Sequence, residues 1–465
     1  MIRLFKQYIS PRKLIFIIGE GALIFLAVLF ATYFFLGRGI GIFYTLEITW
    51  PKIFLITLIT QLSLYFNDLY ELKPTDYSVN LASKLIQATG TTSITLAIVY
   101  FIWPELVIGQ WIFFISLIIL ILFLVSWRIL YSIIVKKRLF TEKVILLGAG
   151  ELARDLIKEL KNRGDIGYDI KLAMVKEPGD APSESLEGIP VKAGFENLGD
   201  IAEKEEISTI IVALDQRRGV MPYKELLNCK VKGINILDGE SFFERIAGKI
   251  LVEKINPSWL IFSDGFEKSN ISRFIKRLIG FTASSVILIL LLPFLILVAL
   301  IVKLDSPGPA LFAQERVGEN GEPFILYKFR SMRSDAEKMS GPVWAEEDDP
   351  RVTKIGKIIR NLRIDELPQL WNVFKGEMSF VGPRPERQFF VDQLKKTIPY
   401  YNERFSVKPG VTGWAQIRYP YGSTEKDALE KLKYELYYIK NMSFAFDLTI
   451  IFHTVKIMLL GRGAR

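Results

Sequence analysis

Long apolar runs constrain this chain more than any other feature, because each has to be buried in a protein core or in lipid. Residues 14–36 carry a single charge, Glu20, and as a helix are long enough to cross about 30 Å of hydrocarbon. Residues 85–103 and 106–127 are uncharged and meet in a tight hairpin at Pro104 and Glu105. A weaker run, 43–66, is interrupted by Glu47, Pro51 and Lys52. Trp50, Trp103, Trp111 and Trp127 fall near the ends of these runs, where amphipathic rings favour the membrane interface. Four transmembrane helices are therefore expected within residues 1–140. No small-residue cleavage site follows a short apolar core, so a removable signal peptide is not read. Glu20 is read as a bundle-facing carboxyl near a span end, in preference to a functional intramembrane group.

The flanking charges set an orientation. Arg3, Lys6, Arg12 and Lys13 precede the first run, Arg128, Lys136, Lys137 and Arg138 follow the fourth, and the hairpin between the third and fourth has no Lys or Arg. The positive-inside rule places both ends of the module in the cytoplasm. Composition agrees with a mosaic of lipid-facing and polar parts: half of the 465 residues are hydrophobic, yet 23% are charged. A disordered tail, a secreted mini-protein and a porin are excluded. Cys229 is the single cysteine, so no intrachain disulfide forms and a reducing compartment suits the polar parts. The net charge is +9, and nearly all of it lies from Arg273 onward, with 29 Lys/Arg against 21 Asp/Glu.

After the membrane module, KVILLGAGELARDLIKEL (143–160) joins a β-branched run to Gly148, Gly150 and Ala153 and then to a helical pattern. This is the strand, tight turn and helix that lets a helix N-terminus meet a pyrophosphate. Strand-like segments recur at 170–175 and 209–214, so a Rossmann-like parallel α/β domain is expected over 141–240, with a linker at 241–272. Two readings of the glycines stay open: dinucleotide binding, with Glu177 as a ribose partner, or plain strand-to-helix packing. No Tyr-x-x-x-Lys pair occurs in the chain, so a short-chain reductase or epimerase lacks its usual proton donor.

Residues 278–302 are apolar with Pro293 near the middle. Arg273, Lys276 and Arg277 precede them and Lys303 follows, so both ends favour the cytoplasm. A helix broken at Pro293 enters one leaflet and returns; the competing reading is a kinked spanning helix. The carbonyls freed at the break are expected to find partners such as Ser284 and Ser285.

Beyond a polar stretch at 334–349, Ile355, Ile358, Ile359 and Leu362 recur at helical spacing, while Arg351, Lys354, Lys357, Arg360 and Arg363 recur every third residue with no acid among them. This pattern suits an amphipathic helix on an anionic membrane, a strip that collects phosphate, or a solvated face. Asp365 and Glu366 follow directly, and Pro368 places the start of a new helix near Asp365. Neighbouring carboxylates on a helix point about 100° apart, so they suit separate roles, one attacking and one holding a cation. The last apolar stretch, 444–460, contains Asp447, His453 and Lys456 and reads as a packed or surface helix. His453 is the only histidine, which argues against zinc or Ser-His chemistry.

The chain from Arg273 onward resembles the bacterial sugar transferases, the polyprenyl-phosphate sugar-1-phosphate transferases. The likeness rests on the proline-containing apolar hairpin and on SPGP (306–309), QERVG (314–318), KFRSM (328–332), DELPQ (365–369), GEMS (376–379), VGPRP (381–385) and PGVTGW (409–414). Four spans and a Rossmann-like domain ahead of that core resemble the family's long form, which includes undecaprenyl-phosphate glucose and galactose phosphotransferases. The resemblance implies a monotopic, mainly helical catalytic domain at 273–465 with a re-entrant helix at 278–302, in the bacterial inner membrane. It implies attack by Asp365 on a UDP-sugar, release of UMP, and passage of the phosphosugar to polyprenyl phosphate, starting exopolysaccharide or O-antigen synthesis. Glu366 would hold Mg²⁺, Arg360 the polyprenyl phosphate, and the loop of Pro383, Arg384 and Pro385 the uridine nucleotide. Lys328 and Arg330, in the KFRSM run, are further candidates for substrate binding. The family commonly has a Ser two residues before the Asp; Arg363 stands there instead. Membrane lipids are expected partners, nucleic acid is not, and a homo-oligomer is compatible with the sequence. Two alternatives remain: a membrane-tethered nucleotide-sugar dehydratase or epimerase, and a non-catalytic scaffold that senses a nucleotide. Nothing in the motifs identifies the sugar.

Overall fold

The computed structural model describes residues 2–4, 7–9, 11–36, 42–70, 79–136, 141–162, 167–180, 185–215, 218–254, 265–266, 269–333, 350–420, 422 and 424–459. Lys137, Arg138 and the polar stretch 334–349 lie outside the described residues. The chain divides into two compact units, essentially Tyr8–Phe242 and Phe243–Arg465.

The first unit begins with four helices: α1 (Pro11–Leu36), α2 (Ile42–Phe66), α3 (Val79–Ile102) and α4 (Gln110–Lys136). Segments of α1, α3 and α4 are long and apolar enough to cross a membrane. The weaker run folds as α2, continuing through Pro51, and Lys52 donates to the carbonyls of Glu105 (2.6 Å) and Val107 (3.3 Å). A lysine that looked like a flaw in a span thus closes the turn between α3 and α4. Glu20 is fully buried and paired with Arg128 at 2.7 Å, and the Arg128 guanidinium lies over the Phe16 ring. Each charge compensates the other, as buried charges require.

The same unit carries a six-stranded sheet with β1 (Glu142–Leu147), β2 (Tyr168–Val175), β3 (Ser185–Leu186), β4 (Ile189–Ala193), β5 (Thr209–Val212) and β6 (Asn235–Asp238). The order is β3-β4-β2-β1-β5-β6, and only the β3–β4 pairing is antiparallel. Counting parallel strands alone, the order is 3-2-1-4-5, the doubly wound arrangement with its switch between β1 and β5. Helix α5 (Glu151–Asn162) follows β1 and buries Leu152, Ala153, Leu156, Ile157 and Leu160, the stripe expected of an amphipathic helix on a sheet.

The second unit is built on α8 (Asn270–Asp305), if α6 (Leu198–Lys204) and α7 (Tyr223–Val231) are counted in the first. Helix α8 runs unbroken through Pro293, so the expected stop there is not found. Ser284 and Ser285 both donate to the Phe281 carbonyl and do not serve the proline site. One missing N–H and one displaced carbonyl are tolerable inside a long apolar helix, where serine hydroxyls bond their own preceding turn. The hairpin β7 (Leu311–Val317) and β8 (Pro323–Phe329) comes next, then α9 (Lys354–Asn361), α10 (Gln369–Lys375), β9 (Ser379–Val381), α11 (Gln388–Thr397) and β10 (Gly410–Thr412), which pairs in parallel with β9. The short α12 (Trp414–Arg418) precedes α13 (Glu425–Asn441) and α14 (Phe444–Leu459). Leu432, Leu436, Tyr437 and Tyr438 of α13, with Trp414, Phe446 and Ile450, form the main core of this unit.

Candidate active site

The site is assembled where β8, the end of α9 and the loop after β9 converge. On β8, Phe324 and Leu326 face the core with Val373 of α10, and Lys328 extends the same alternating face toward the carboxylate pair. Helix α9 starts at Thr353, whose hydroxyl accepts from Gly356 N at 2.9 Å. Its predicted apolar face divides: Ile359 is buried against Val298, Val302 and Phe329, with Ile355 packed beside it, while Ile358 and Leu362 are exposed.

Arg363 ends that helix in the left-handed region, at φ 55°. The turn throws Asp365 and Glu366 into a short 3-10 segment, Ile364–Glu366, and α10 begins only after Pro368. The expected helix start at Asp365 is therefore displaced by four residues, to Gln369. The reason is local: with Arg363 reversed, its carbonyl accepts from Glu366 N at 3.3 Å, closing a tight turn before helical bonding begins.

Within this turn the two carboxylates have different surroundings. Glu366 Oε1 accepts from Lys328 Nζ and from Arg384 Nη2, each at 2.9 Å, and Oε2 lies 3.7 Å from Arg363. Burial acts to raise its pKa, but the positive charges of Lys328, Arg384 and Arg363 outweigh that and hold it well below the usual carboxylate range. Asp365 is 8% exposed, and among the described residues no hydrogen bond or ion pair engages its carboxylate. Burial is the largest influence on Asp365 and raises its pKa; Lys328, Arg360 and Arg384 pull it down, and the neighbouring Glu366 charge pushes it up. One carboxylate is anchored by two cations and the other is not.

The 382–386 loop is held just as closely. Gly382 N donates to Thr412 O and Gly410 N to Pro383 O, both at 2.9 Å. The two backbones pass so near each other that a Cβ on Gly410 would lie 2.1 Å from Gly382 N, which explains glycine in both motifs. This fixes the base of the loop, and Arg384 reaches from it to Glu366. Arg330 goes elsewhere: its Nη2 donates to Ser306 O (2.6 Å), Ser306 Oγ (2.9 Å) and Val302 O (3.3 Å), capping the C-terminal end of α8. The structure brings together Asp365, Glu366, Lys328 and Arg384, with Arg360 near enough to act on Asp365 by charge. It does not bring Arg330 to them.

Residues 271–461 match the family described as Bacterial sugar transferase, and residues 65–237 match one described as CoA-binding domain. The chain is 40% identical over 240 residues to UDP-N-acetylgalactosamine-undecaprenyl-phosphate N-acetylgalactosaminephosphotransferase of Aeromonas hydrophila, an alignment covering 52% of this chain and 56% of that protein. It is 32% identical over 362 residues to undecaprenyl-phosphate glucose phosphotransferase of Komagataeibacter xylinus, covering 76% of this chain and 66% of that protein. With UDP-galactose-lipid carrier transferase of Erwinia amylovora it shares 30% identity over 347 residues, 71% of this chain and 70% of the relative. The chain belongs to the bacterial sugar transferase family.

The sugar transferase site offers few ligands for a metal: among the described residues no three His, Cys, Asp or Glu side chains group closely enough to hold one. Mg²⁺ commonly takes only one or two carboxylates and completes its shell with substrate phosphates and water. Glu366, held ionised by the surrounding positive charges, is the carboxylate that would hold such a cation.

In the first unit, Gly148 adopts φ +121° and Gly150 passes so near Asp215 that a Cβ would lie 1.7 Å from its Oδ2. The Asp215 carboxylate accepts from Glu151 N at 3.2 Å and Leu152 N at 3.5 Å. A carboxylate of the chain itself thus occupies the helix N-terminus where a diphosphate sits in dinucleotide-binding folds. Ala153 is buried beneath it. Sequence reasoning missed Asp215 because it stands 65 residues from Gly150, three residues past the end of β5, with no motif of its own.

Proposed function

We propose that this chain transfers a sugar-1-phosphate from a UDP-sugar to polyprenyl phosphate, releasing UMP, as an initiating step of exopolysaccharide or O-antigen synthesis. The observation that carries this reading is the asymmetry of the pair: Asp365 without a bonded partner and Glu366 gripped by Lys328 and Arg384. Asp365 Oδ attacks the phosphorus that bears the sugar, and the bond from that phosphorus to the UMP oxygen breaks. UMP leaves with the bonding pair, and the phosphosugar remains on Asp365. An oxygen of polyprenyl phosphate then attacks the same phosphorus, and Asp365 departs as carboxylate. Lys328 and Arg384 orient the donor's diphosphate through their charge, and Arg360 meets the lipid phosphate from the end of the basic helix. Mg²⁺ bound with Glu366 would neutralise charge on the diphosphate.

A lipid phosphate has to be met at the membrane surface, because its tail stays in the bilayer. A re-entrant course for α8, with the helix bent at Pro293 and not broken there, answers that need. It is supported by the packing of both ends of α8 on the same unit, Gly280 and Phe281 beside α10 and Val298 and Val302 beside α9. Between them, Ile289, Leu290, Leu292, Ile296 and Leu297 are exposed. The catalytic unit then lies on the cytoplasmic face of the bacterial inner membrane.

Purified full-length protein with undecaprenyl phosphate and a panel of UDP-glucose, UDP-galactose and N-acetylated UDP-sugars tests the reading. UMP release with at least one donor is expected, falling by about a thousandfold or more in Asp365→Asn. Substantial turnover in that variant would remove Asp365 as nucleophile.

A further inference from the structure

The loop that carries Arg384 is bonded from outside at four successive carbonyls. Gly410 N donates to Pro383 O (2.9 Å), Arg404 Nη2 to Arg384 O (2.9 Å), Arg316 Nη1 to Pro385 O (3.1 Å) and Val317 N to Glu386 O (3.0 Å). The second of these comes from a side chain only 4% exposed. Arg404 Nη2 also donates to Glu435 Oε1 at 2.9 Å, and Glu435 is 6% exposed. A buried ion pair therefore holds the Arg384 carbonyl. Tyr401, whose hydroxyl accepts from Arg404 Nη1, braces the guanidinium with its ring 5.0 Å away.

Stability is a weak reason to keep such a pair. Desolvating two charges is costly, and apolar replacements of similar volume are often neutral or stabilising. What an apolar pair would lose is the grip on one particular peptide, the one whose side chain binds Glu366. We infer that Arg404 and Glu435 form a positioning clamp, fixing the Arg384 backbone so that its guanidinium stays on Glu366 and at the donor diphosphate. The second half of that role rests on the transfer reaction proposed above. Neither residue contacts Asp365 or Glu366, so both are positioning residues and not catalytic ones.

A single substitution in the pair leaves an unpaired buried charge and risks misfolding, so the informative variant is Arg404→Met with Glu435→Leu. Amide hydrogen exchange on the full-length protein in lipid nanodiscs, without substrate, judges the clamp independently of turnover. The Arg384 amide is expected to exchange about tenfold faster in the double variant, with the β7–β8 hairpin unchanged. UMP release is expected to fall by about a hundredfold, the usual penalty for a misplaced binding group. In an Arg384→Ala background the same double substitution should have no further effect, because it acts through that side chain. An unchanged Arg384 amide, or an equal further loss in the Arg384→Ala background, would overturn the clamp. If the wild-type protein releases no UMP from any donor, the transfer reading fails, while the exchange result still decides whether the loop is clamped.

Discussion

Two adjacent carboxylates in one turn behave differently because their partners differ, and the partners come from distant parts of the chain. Lys328 and Arg384 both bond the same oxygen of Glu366, whereas Asp365 has only through-space charge around it. Lys328→Met and Arg384→Ala are each expected to lower turnover by about a hundredfold, as when one preorganised charge is removed from a phosphoryl-transfer site. Combined, they should cost less than the product of the two effects, since both act on Glu366 Oε1. A neutral result for either variant in UMP-release kinetics would show that its contact does not order the site. At this scale the DELPQ motif made Asp365 and Glu366 legible. Arg330 sits in an equally cationic motif but lies just past the end of β8, where its guanidinium caps α8.

The elements owe their ends to short-range chemistry that can be tested one helix at a time. Helix α13 begins with a capping box: Thr424 Oγ1 accepts from Asp427 N (3.2 Å), Asp427 Oδ2 accepts from Thr424 N (2.9 Å), and Tyr419 donates to Asp427 Oδ1 (2.8 Å). Hydrogen bonds from the Thr424 side chain, the Thr424 backbone and Tyr419 lower the Asp427 pKa, while its phenol partner is pushed up to about 12. A depressed folded-state pKa stabilises the cap above the unfolded value, and that contribution is lost as pH falls through the folded one. Asp427→Asn should therefore weaken the start of α13 by about 1 kcal/mol at neutral pH. The difference from wild type should shrink as the buffer is acidified below the ordinary aspartate range. Exchange of the amides at 427–429 checks both the size and the sign; a deficit that grows in acid would contradict the linkage.

For the whole molecule, the apolar helices and the family place the protein in a membrane, and the charge flanks predict how it is oriented. Single reporters at Lys143 and at the C-terminus are both expected on the cytoplasmic side, read by labelling intact and permeabilised cells. A C-terminal reporter on the outer side would sink the re-entrant reading of α8 and, with it, the location proposed for the catalytic unit.

How much of this was legible before folding depends on how far each signal reaches along the chain. Burial of apolar runs is decided by the runs themselves, so α1, α3, α4 and α8 were readable from composition in a window. The β1–turn–α5 unit was readable for the same reason, through glycines that a tight strand-to-helix turn requires. The short Asp-Glu motif was readable as a carboxylate pair because its residues are neighbours. The sequence alone could not say that Arg363 reverses the backbone, that Lys52 closes a turn 53 residues away, or that Asp215 fills the seat beside Gly150. Nor could it pair Arg404 with Glu435 across 31 residues to hold the peptide of Arg384. Local patterning determined which segments must be buried and singled out the adjacent carboxylates on which the proposed reaction rests. Only the tertiary structure decided which charge meets which, because electrostatic and hydrogen-bond partners are selected within a few ångströms in space, at separations along the chain that no local pattern records.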